Sequence, residues 1–73
     1  MDMEKFIRRA MLERDIQQQE LAEKIDYTKN GFNAFLKKNR VYVHDLERIA
    51  AALGYDVEIT FRDRQSGKTI SAD

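Results

Sequence analysis

The segment from residue 16 to residue 36 constrains the fold most strongly, because apolar residues recur there at helical spacing on both sides of a short polar break. Ala22 is small, as is needed where two helices cross closely. The pattern predicts two short amphipathic helices joined by a tight turn. The inward faces of these helices carry Leu21, Ala22, Ile25, Phe32 and Phe35.

The outward face of the second of these helices has no acidic residue and is rich in amide and ammonium donors. A helix of this kind fits the major groove of duplex DNA and can read base edges there. Taken singly, each side chain is better explained by a solvated helix surface. As a set beside a second helix, they predict contact with bases. The candidates are Lys29, Asn30, Asn33 and Ala34.

The paired helices resemble the helix-turn-helix of phage repressors and Cro proteins, also called the xenobiotic-response-element class. A later stretch, Leu-Glu-Arg-Ile-Ala-Ala-Ala-Leu-Gly from Leu46 to Gly54, resembles the closing helix of that family. The two motifs lie at the family's usual separation, and the resemblance covers residues 4 to 54. In the first motif the matching residues are Ile16, Gln17, Gln18, Glu20, Leu21, Ala22, Asp26, Thr28, Phe32 and Phe35.

The resemblance implies a mostly α fold, with a four-helix, repressor-like helix-turn-helix domain over residues 1–54. Helix three would enter the major groove. In the family, the glutamine at the position of Gln18 bonds a phosphate and braces the recognition helix. The backbone amides at the N-terminus of helix two also favour a phosphate there. A solvated Gln18 is the alternative. Thr28 is expected to cap helix three, and its hydroxyl could also bond a phosphate.

Several cations follow the predicted recognition helix. Lys37, Lys38 and Arg40 could neutralise phosphates and add salt dependence without sequence specificity. Lysines near a helix C-terminus also suit the helix dipole, so this simpler explanation stays open. The net charge of the whole chain is zero, which argues mildly against nonspecific nucleic-acid binding. Residues 28–40 nevertheless contain no acid, whereas the chain after Gly54 is acid-rich.

Three positions depart from the family's usual residues. Gln17 stands at the capping position of helix two, where Thr or Ser is usual, and this predicts a weaker cap. Asp26 stands in the turn where the family prefers Gly, and we expect a positive φ there. Gly31 inside helix three costs up to roughly 1 kcal/mol relative to Ala. It provides either room for packing on helix two or a close approach of backbone to DNA.

Two further helices complete the predicted domain. Asp2 can cap helix one, which runs to about Arg14. Helix four runs from about His44 to Leu53 and ends at Gly54, a natural C-cap. The predicted buried stripe of helix one consists of Met3, Phe6, Ile7, Ala10 and Met11.

After Gly54 the hydrophobic period changes to two, which predicts a half-buried β-strand from Tyr55 to Phe61. A turn over 63–67 and a short return strand would make a hairpin. A lone hairpin is marginal in water and leaves an open edge. We therefore expect residues 55–73 to form a dimerisation extension that pairs across a two-fold axis. Packing on the chain's own helices is the alternative. The dimerisation candidates are Val57, Ile59 and Phe61.

Composition excludes several classes of function. The chain has 73 residues and no cysteine, so it is one small domain without a disulfide framework or thiolate metal site. His44 is the single histidine, and no nucleophile, phosphate loop or carboxylate constellation accompanies it. We therefore expect no enzyme activity, metal or cofactor. No apolar run could span a membrane, and the N-terminus lacks a signal-peptide core, so a cytoplasmic protein is expected.

Together these features predict a sequence-specific, double-stranded DNA-binding transcription regulator that acts as a homodimer. Members of the family that the chain resembles most often repress transcription, so a repressor is expected. The alternative is an antitoxin that binds a toxin partner as well as operator DNA. Its toxin-binding segment would be the very short acidic tail over 71–73, which argues against it. A third reading is a helix-turn-helix that has lost DNA binding and serves only in protein contact. Asp26, Gly31 and the zero net charge leave this open.

Overall fold

A computed structural model of the chain describes residues 1–72, which form four helices and a two-stranded antiparallel hairpin. The predicted mostly α architecture with a C-terminal hairpin is confirmed. Asp73, part of the predicted acidic tail, lies outside the described residues. The elements are α1 Met3–Glu13, α2 Gln18–Lys24, α3 Lys29–Lys37, α4 Val43–Leu53, β1 Thr60–Arg62 and β2 Thr69–Ser71.

Side-chain caps and left-handed residues set the ends of α1 and α4. The Asp2 carboxylate accepts a hydrogen bond from the backbone N–H of Lys5 at 3.0 Å, as predicted. α4 begins one residue before the predicted His44, and the Asp45 carboxylate accepts from the N–H of Tyr42 at 3.1 Å. Gly54 ends α4 with φ of 82°, which confirms the predicted C-cap.

The turn between α2 and α3 is held by bonds from both directions. Asp26 has the expected positive φ, at 63°. The N–H of Tyr27 donates to the carbonyl of Ala22 at 2.8 Å, and the guanidinium of Arg48 on α4 donates to the carbonyl of Ile25. Gln17 makes no side-chain capping bond at the start of α2, in agreement with the weaker cap predicted there. Both a local backbone bond and a side chain from α4 therefore hold the turn.

The hydrophobic core draws on all four helices. In the described residues it contains no buried polar or charged side chain. Leu21, Ala22 and Phe32 are fully enclosed, and Leu36 on α3, which is not among the predicted inward residues, is also buried. The core side chains are Ile7, Met11, Leu21, Ala22, Ile25, Phe32, Leu36, Ile49 and Leu53.

The predicted buried stripe of α1 is wrong at Phe6, whose side chain is 59% exposed. Ile7 and Met11 do face the core, one helical turn apart. A helix turns by about 100° per residue, so the neighbour of Ile7 points well away from the core centre. Phe6 instead lines an apolar groove between α1, α4 and the segment 55–60.

The C-terminal strand is shorter and more exposed than predicted. The chain leaves α4 at Gly54, and β1 begins only at Thr60. Just before β1, the carbonyl of Ile59 accepts from the backbone N–H of Ala72 at 2.9 Å. Every residue of β1 and β2 is exposed, so the predicted half-burial is wrong for the single chain. The alternative of a strand packed on its own helices is also wrong for β1. The physical reason is that, within residues 1–72, only β2 pairs with β1, which leaves both faces of the hairpin open.

The hairpin turn is built around Asp63. Its carboxylate accepts from the N–H of Gln65 at 2.8 Å and of Ser66 at 3.4 Å. These backbone bonds, Gln65 first, hold the pKa of the Asp63 carboxyl below its usual value. Gly67 has φ of 79°, a left-handed conformation that glycine adopts without steric cost. Residues 63–67 thus determine the shape of the turn, although no other described part of the chain packs against the strands that it joins.

The root of the hairpin is fixed to the helical body. The guanidinium of Arg14 lies 4.0 Å from the centroid of the Tyr55 ring, within cation–π range. The same guanidinium donates to the carbonyl of Gly54 at 3.4 Å. The segment that leaves α4 is therefore tied to the end of α1 before it extends into the hairpin.

Candidate nucleic-acid interface

The four predicted base-reading residues lie together on one exposed face of α3. Residues three and four apart on a helix share a face, which is the spacing of Lys29, Asn30, Asn33 and Ala34. The face begins at Thr28, whose hydroxyl accepts from the N–H of Gly31 at 3.0 Å, so the predicted cap is present. The fold therefore presents amide and ammonium donors along a single edge of the molecule.

Gly31 is explained by this cap. A Cβ at Gly31 would lie 2.8 Å from the Thr28 hydroxyl oxygen and 3.9 Å from Cδ1 of Tyr27. Among the described residues, no α2 atom comes within 4 Å of that position, so the expectation of close packing on helix two is wrong. A side chain here would press on the capping hydroxyl. The close approach of backbone to DNA stays a prediction.

Gln18 lies at the first turn of α2, half-buried, beside the exposed face of α3. Its side-chain oxygen Oε1 accepts from Nη1 of Arg8 at 2.7 Å. An arginine side chain carries only donors, so the amide of Gln18 must turn its oxygen towards Arg8. Its NH2 group is left to donate to a group outside this pair. That is the polarity needed to bond a phosphate oxygen.

Arg8 and Glu4 are two residues of this surface that the sequence reading missed. Nε of Arg8 donates to the Glu4 carboxylate at 3.0 Å, and Nη2 lies 3.4 Å from Oδ1 of Asn33. Nζ of Lys37 lies 3.2 Å from the same Glu4 carboxylate. A signal was available, because Glu4 and Arg8 are four residues apart on one helix. Their link to α2 and α3 needed the tertiary structure.

Positive neighbours make Glu4 easier to ionise. Hydrogen bonds from Arg8, and next from Lys37, hold the pKa of the Glu4 carboxyl below its usual value. Lys37 is therefore partly neutralised in the free protein, although its side chain remains 64% exposed. Lys38 and Arg40 are exposed at the end of α3 and in the following loop. The predicted group of cations thus lies at the C-terminal end of α3, the candidate recognition helix.

The aromatic residues near this surface belong mainly to the core. The ring centroids of Phe32 and Phe35 are 5.9 Å apart, and Tyr27 lies 5.4 Å from Phe35. This confirms Phe32 and Phe35 as packing residues. Tyr42 is exposed at the start of α4. The surface is therefore suited to hydrogen bonding with a duplex rather than to stacking on single-stranded bases.

Within residues 1–72, no three acidic or histidine side chains gather where they could hold a metal ion. In the same residues no helix has the length and apolarity needed to cross a bilayer.

A short helix-turn-helix within a four-helix core, with a donor-rich outward face on its second helix, defines a repressor-like helix-turn-helix protein. The sequence model of the Cro/C1-type HTH DNA-binding domain matches residues 6–58. The chain belongs to this family, as the motifs predicted, and DNA binding is the activity that the family's description carries. Searches of curated proteins and of solved structures found no significant match.

Proposed function

We propose that this protein is a sequence-specific regulator of transcription that binds duplex DNA as a homodimer and represses by occupying a promoter. The observation that carries the proposal is the exposed donor-rich face of α3 in a Cro/C1-type domain. On this proposal the protein works by binding alone, in the cytoplasm with the DNA. Residues 1–54 would form the DNA-binding domain and residues 55–73 the dimerisation extension.

In the proposed complex, α3 lies in the major groove. Lys29 would donate to guanine acceptors, while Asn30 and Asn33 would bond base edges. Ala34 would meet a thymine methyl group.

Phosphates would flank these base contacts on both sides. Gln18 and Thr28 would hold one phosphate at the start of the two helices. Lys37, Lys38 and Arg40 would neutralise phosphates at the other end of α3 and make binding salt-dependent.

The hairpin supplies the argument for a dimer. Phe61 pairs with Ile70 across the strands, so both side chains lie on one face of the hairpin. They are 76% and 73% exposed, while the opposite face carries polar Thr60, Arg62 and Thr69. An apolar hairpin face in water is a docking surface or an aggregation site. A two-stranded hairpin is also too small to be stable without cover.

The same chain contains an apolar groove that is lined in part by the residues just before β1. The groove has a volume of about 760 Å³ and runs between α1, α4 and the segment 55–60. Phe6, Val57 and Ile59 line it, and Ile59 lies two residues before Phe61 in the sequence. We therefore take a second copy of the chain as the occupant, with the hairpins meeting edge to edge. In this arrangement Ile70 joins Val57, Ile59 and Phe61 as a dimerisation residue.

The proposed dimer makes a geometric claim about the operator. Two α3 helices related by a two-fold axis would enter successive major grooves on one face of the duplex. Their half-sites should then lie about one helical turn apart, roughly 34 Å.

The recognition assignment is tested by the double variant Lys29→Ala/Asn33→Ala. The control Lys68→Ala/Gln65→Ala also removes one lysine and one amide, but from the hairpin turn. Fluorescence anisotropy should show loss of specific binding only for the first variant, with unchanged helicity. Equal affinity of both variants for the operator would contradict the assignment.

One observation favours a second candidate, the antitoxin. The exposed Phe61–Ile70 face would also suit a toxin protein. The two proposals differ in the mass of the native complex. Light scattering on protein purified from its own host should give twice the chain mass for the regulator. A stoichiometric second polypeptide would favour the antitoxin.

A further inference from the structure

Three helices meet at the guanidinium of Arg8. From α1, this side chain contacts Glu4 on its own helix, Gln18 on α2 and Asn33 on α3. Gln18 and Asn33 are the residues proposed above to bond a phosphate and a base. We propose that Arg8 is a positioning residue that orients both amides and thereby sets what the protein reads. This inference rests on the proposed DNA-binding function.

The chemistry of the three partners fixes the orientation. Arginine offers five N–H donors in a planar fork and no acceptor. The Gln18 and Asn33 amides must therefore present oxygen to Arg8, at 2.7 and 3.4 Å. The NH2 groups of both amides then remain available to DNA. Without Arg8 each amide could rotate and present either a donor or an acceptor.

Glu4 holds the fork in place. Its carboxylate accepts from Nε of Arg8 at 3.0 Å, while the two amides accept from Nη1 and Nη2. Lys37 contacts the same carboxylate at 3.2 Å, which ties the end of α3 to α1. An arginine that served only to attract phosphates would gain nothing from a carboxylate neighbour. The pairing therefore fits an orienting role better than a purely electrostatic one.

A fixed donor at Asn33 has a consequence for specificity. The NH2 group would face a base-edge acceptor, such as guanine O6 or N7 or thymine O4. A rotating Asn33 would tolerate a donor at that position as well. Loss of Arg8 should therefore relax the preference at one base pair of each half-site and leave the other positions intact.

The test compares Arg8→Lys with the matched control Lys5→Met in the full-length protein, after an operator has been selected with the unaltered chain. Arg8→Lys keeps the positive charge, but one ammonium cannot span Glu4, Gln18 and Asn33 together. We expect the ratio of specific to nonspecific affinity to fall about tenfold for Arg8→Lys. Its salt dependence should stay that of the unaltered protein. Lys5→Met removes a charge from the same helix and should leave the ratio unchanged.

A double-variant cycle separates orientation from other roles. Asn33→Ala should cost much less affinity in the Arg8→Lys background than alone, because Asn33 is already disoriented. Glu4→Gln is the second route to the same state, and it should lower the specificity ratio while leaving Arg8 intact. Unchanged specificity in folded Arg8→Lys and Glu4→Gln, or additive losses in the cycle, would overturn the inference alone. Failure of the unaltered protein to select any sequence would overturn the proposed function and this inference with it.

Discussion

The helical body and the hairpin of this molecule are stabilised in different ways. The body, residues 1–54, buries nine apolar side chains contributed by all four of its helices. The hairpin has specific turn chemistry at Asp63 and Gly67, yet every residue of its strands is exposed. The body therefore has its own hydrophobic core. The hairpin has a specific turn, but in the described part of the single chain nothing packs against its strands. We infer that the cover comes from a partner.

The largest expected effect separates a core aromatic from a hairpin aromatic. Phe32→Ala should lower the free energy of unfolding by about 3–5 kcal/mol, because Phe32 is fully buried. That loss is comparable with the total stability of a domain of this size. Circular dichroism during urea titration should show a largely unfolded protein. Phe61→Ala is the control and should remain helical. A cooperative transition at an unchanged urea midpoint for Phe32→Ala would contradict this account of the body.

The next effect concerns assembly. Ile59→Lys, Phe61→Lys or Ile70→Lys should yield helical monomers in light scattering. Ile59→Lys places a charge in the apolar groove, and the other two place one on the apolar face of the hairpin. Thr69→Lys adds the same charge to the opposite face of β2 and should remain dimeric. If the mass of Phe61→Lys stays that of the unaltered dimer, the hairpin face is not the interface.

Smaller changes are expected at the two caps of the helix-turn-helix. Thr28→Ala removes the bond to the N–H of Gly31 and should lower the free energy of unfolding by about 1 kcal/mol. Gln17 makes no such bond, so Gln17→Ser should raise stability by a similar amount, about 1 kcal/mol. Thermal unfolding of both variants tests the pair. A neutral or destabilising Gln17→Ser would show that the start of α2 is not limited by its cap.

The smallest effect is a dependence on pH at Glu4. Its pKa is held below the ordinary value of 4.5 by Arg8 and then Lys37. Ionised Glu4 therefore stabilises the fold above pH 4.5, and this contribution is lost as the pH falls through the lower folded-state pKa. Urea unfolding at several pH values should show a gap between the unaltered protein and Glu4→Gln that closes on acidification. A gap independent of pH would exclude ionisation as its cause.

Local chemistry explains which parts of the fold were predictable. Asp2, Thr28 and Gly54 act on groups within four residues along the chain, and each has the predicted cap. The prediction is wrong at Phe6 because periodicity identifies a helix face but does not show which neighbour covers the flank of that face. The exposure of Phe61 could not be predicted either. The alternation of apolar and polar residues is the same whether the apolar face packs on the chain's own helices or on another chain.

The candidate interface shows the same limit. The exposed face of α3 followed from helical spacing and residue type. The contacts of Arg8 could not be predicted in this way, because they depend on how α1, α2 and α3 approach one another. The sequence offers two explanations for Gly31, and the structure adds a third, because a Cβ at this position would crowd the capping hydroxyl of Thr28. Contacts between elements that are distant in sequence therefore could not be predicted from the sequence.

The most direct test of the central claim is selection of the purified protein against a random duplex library, followed by sequencing. The claim of a dimeric, sequence-reading protein predicts an enriched inverted repeat whose half-sites lie about one helical turn, roughly 34 Å, apart. Folded protein that enriches no sequence at low salt would contradict it.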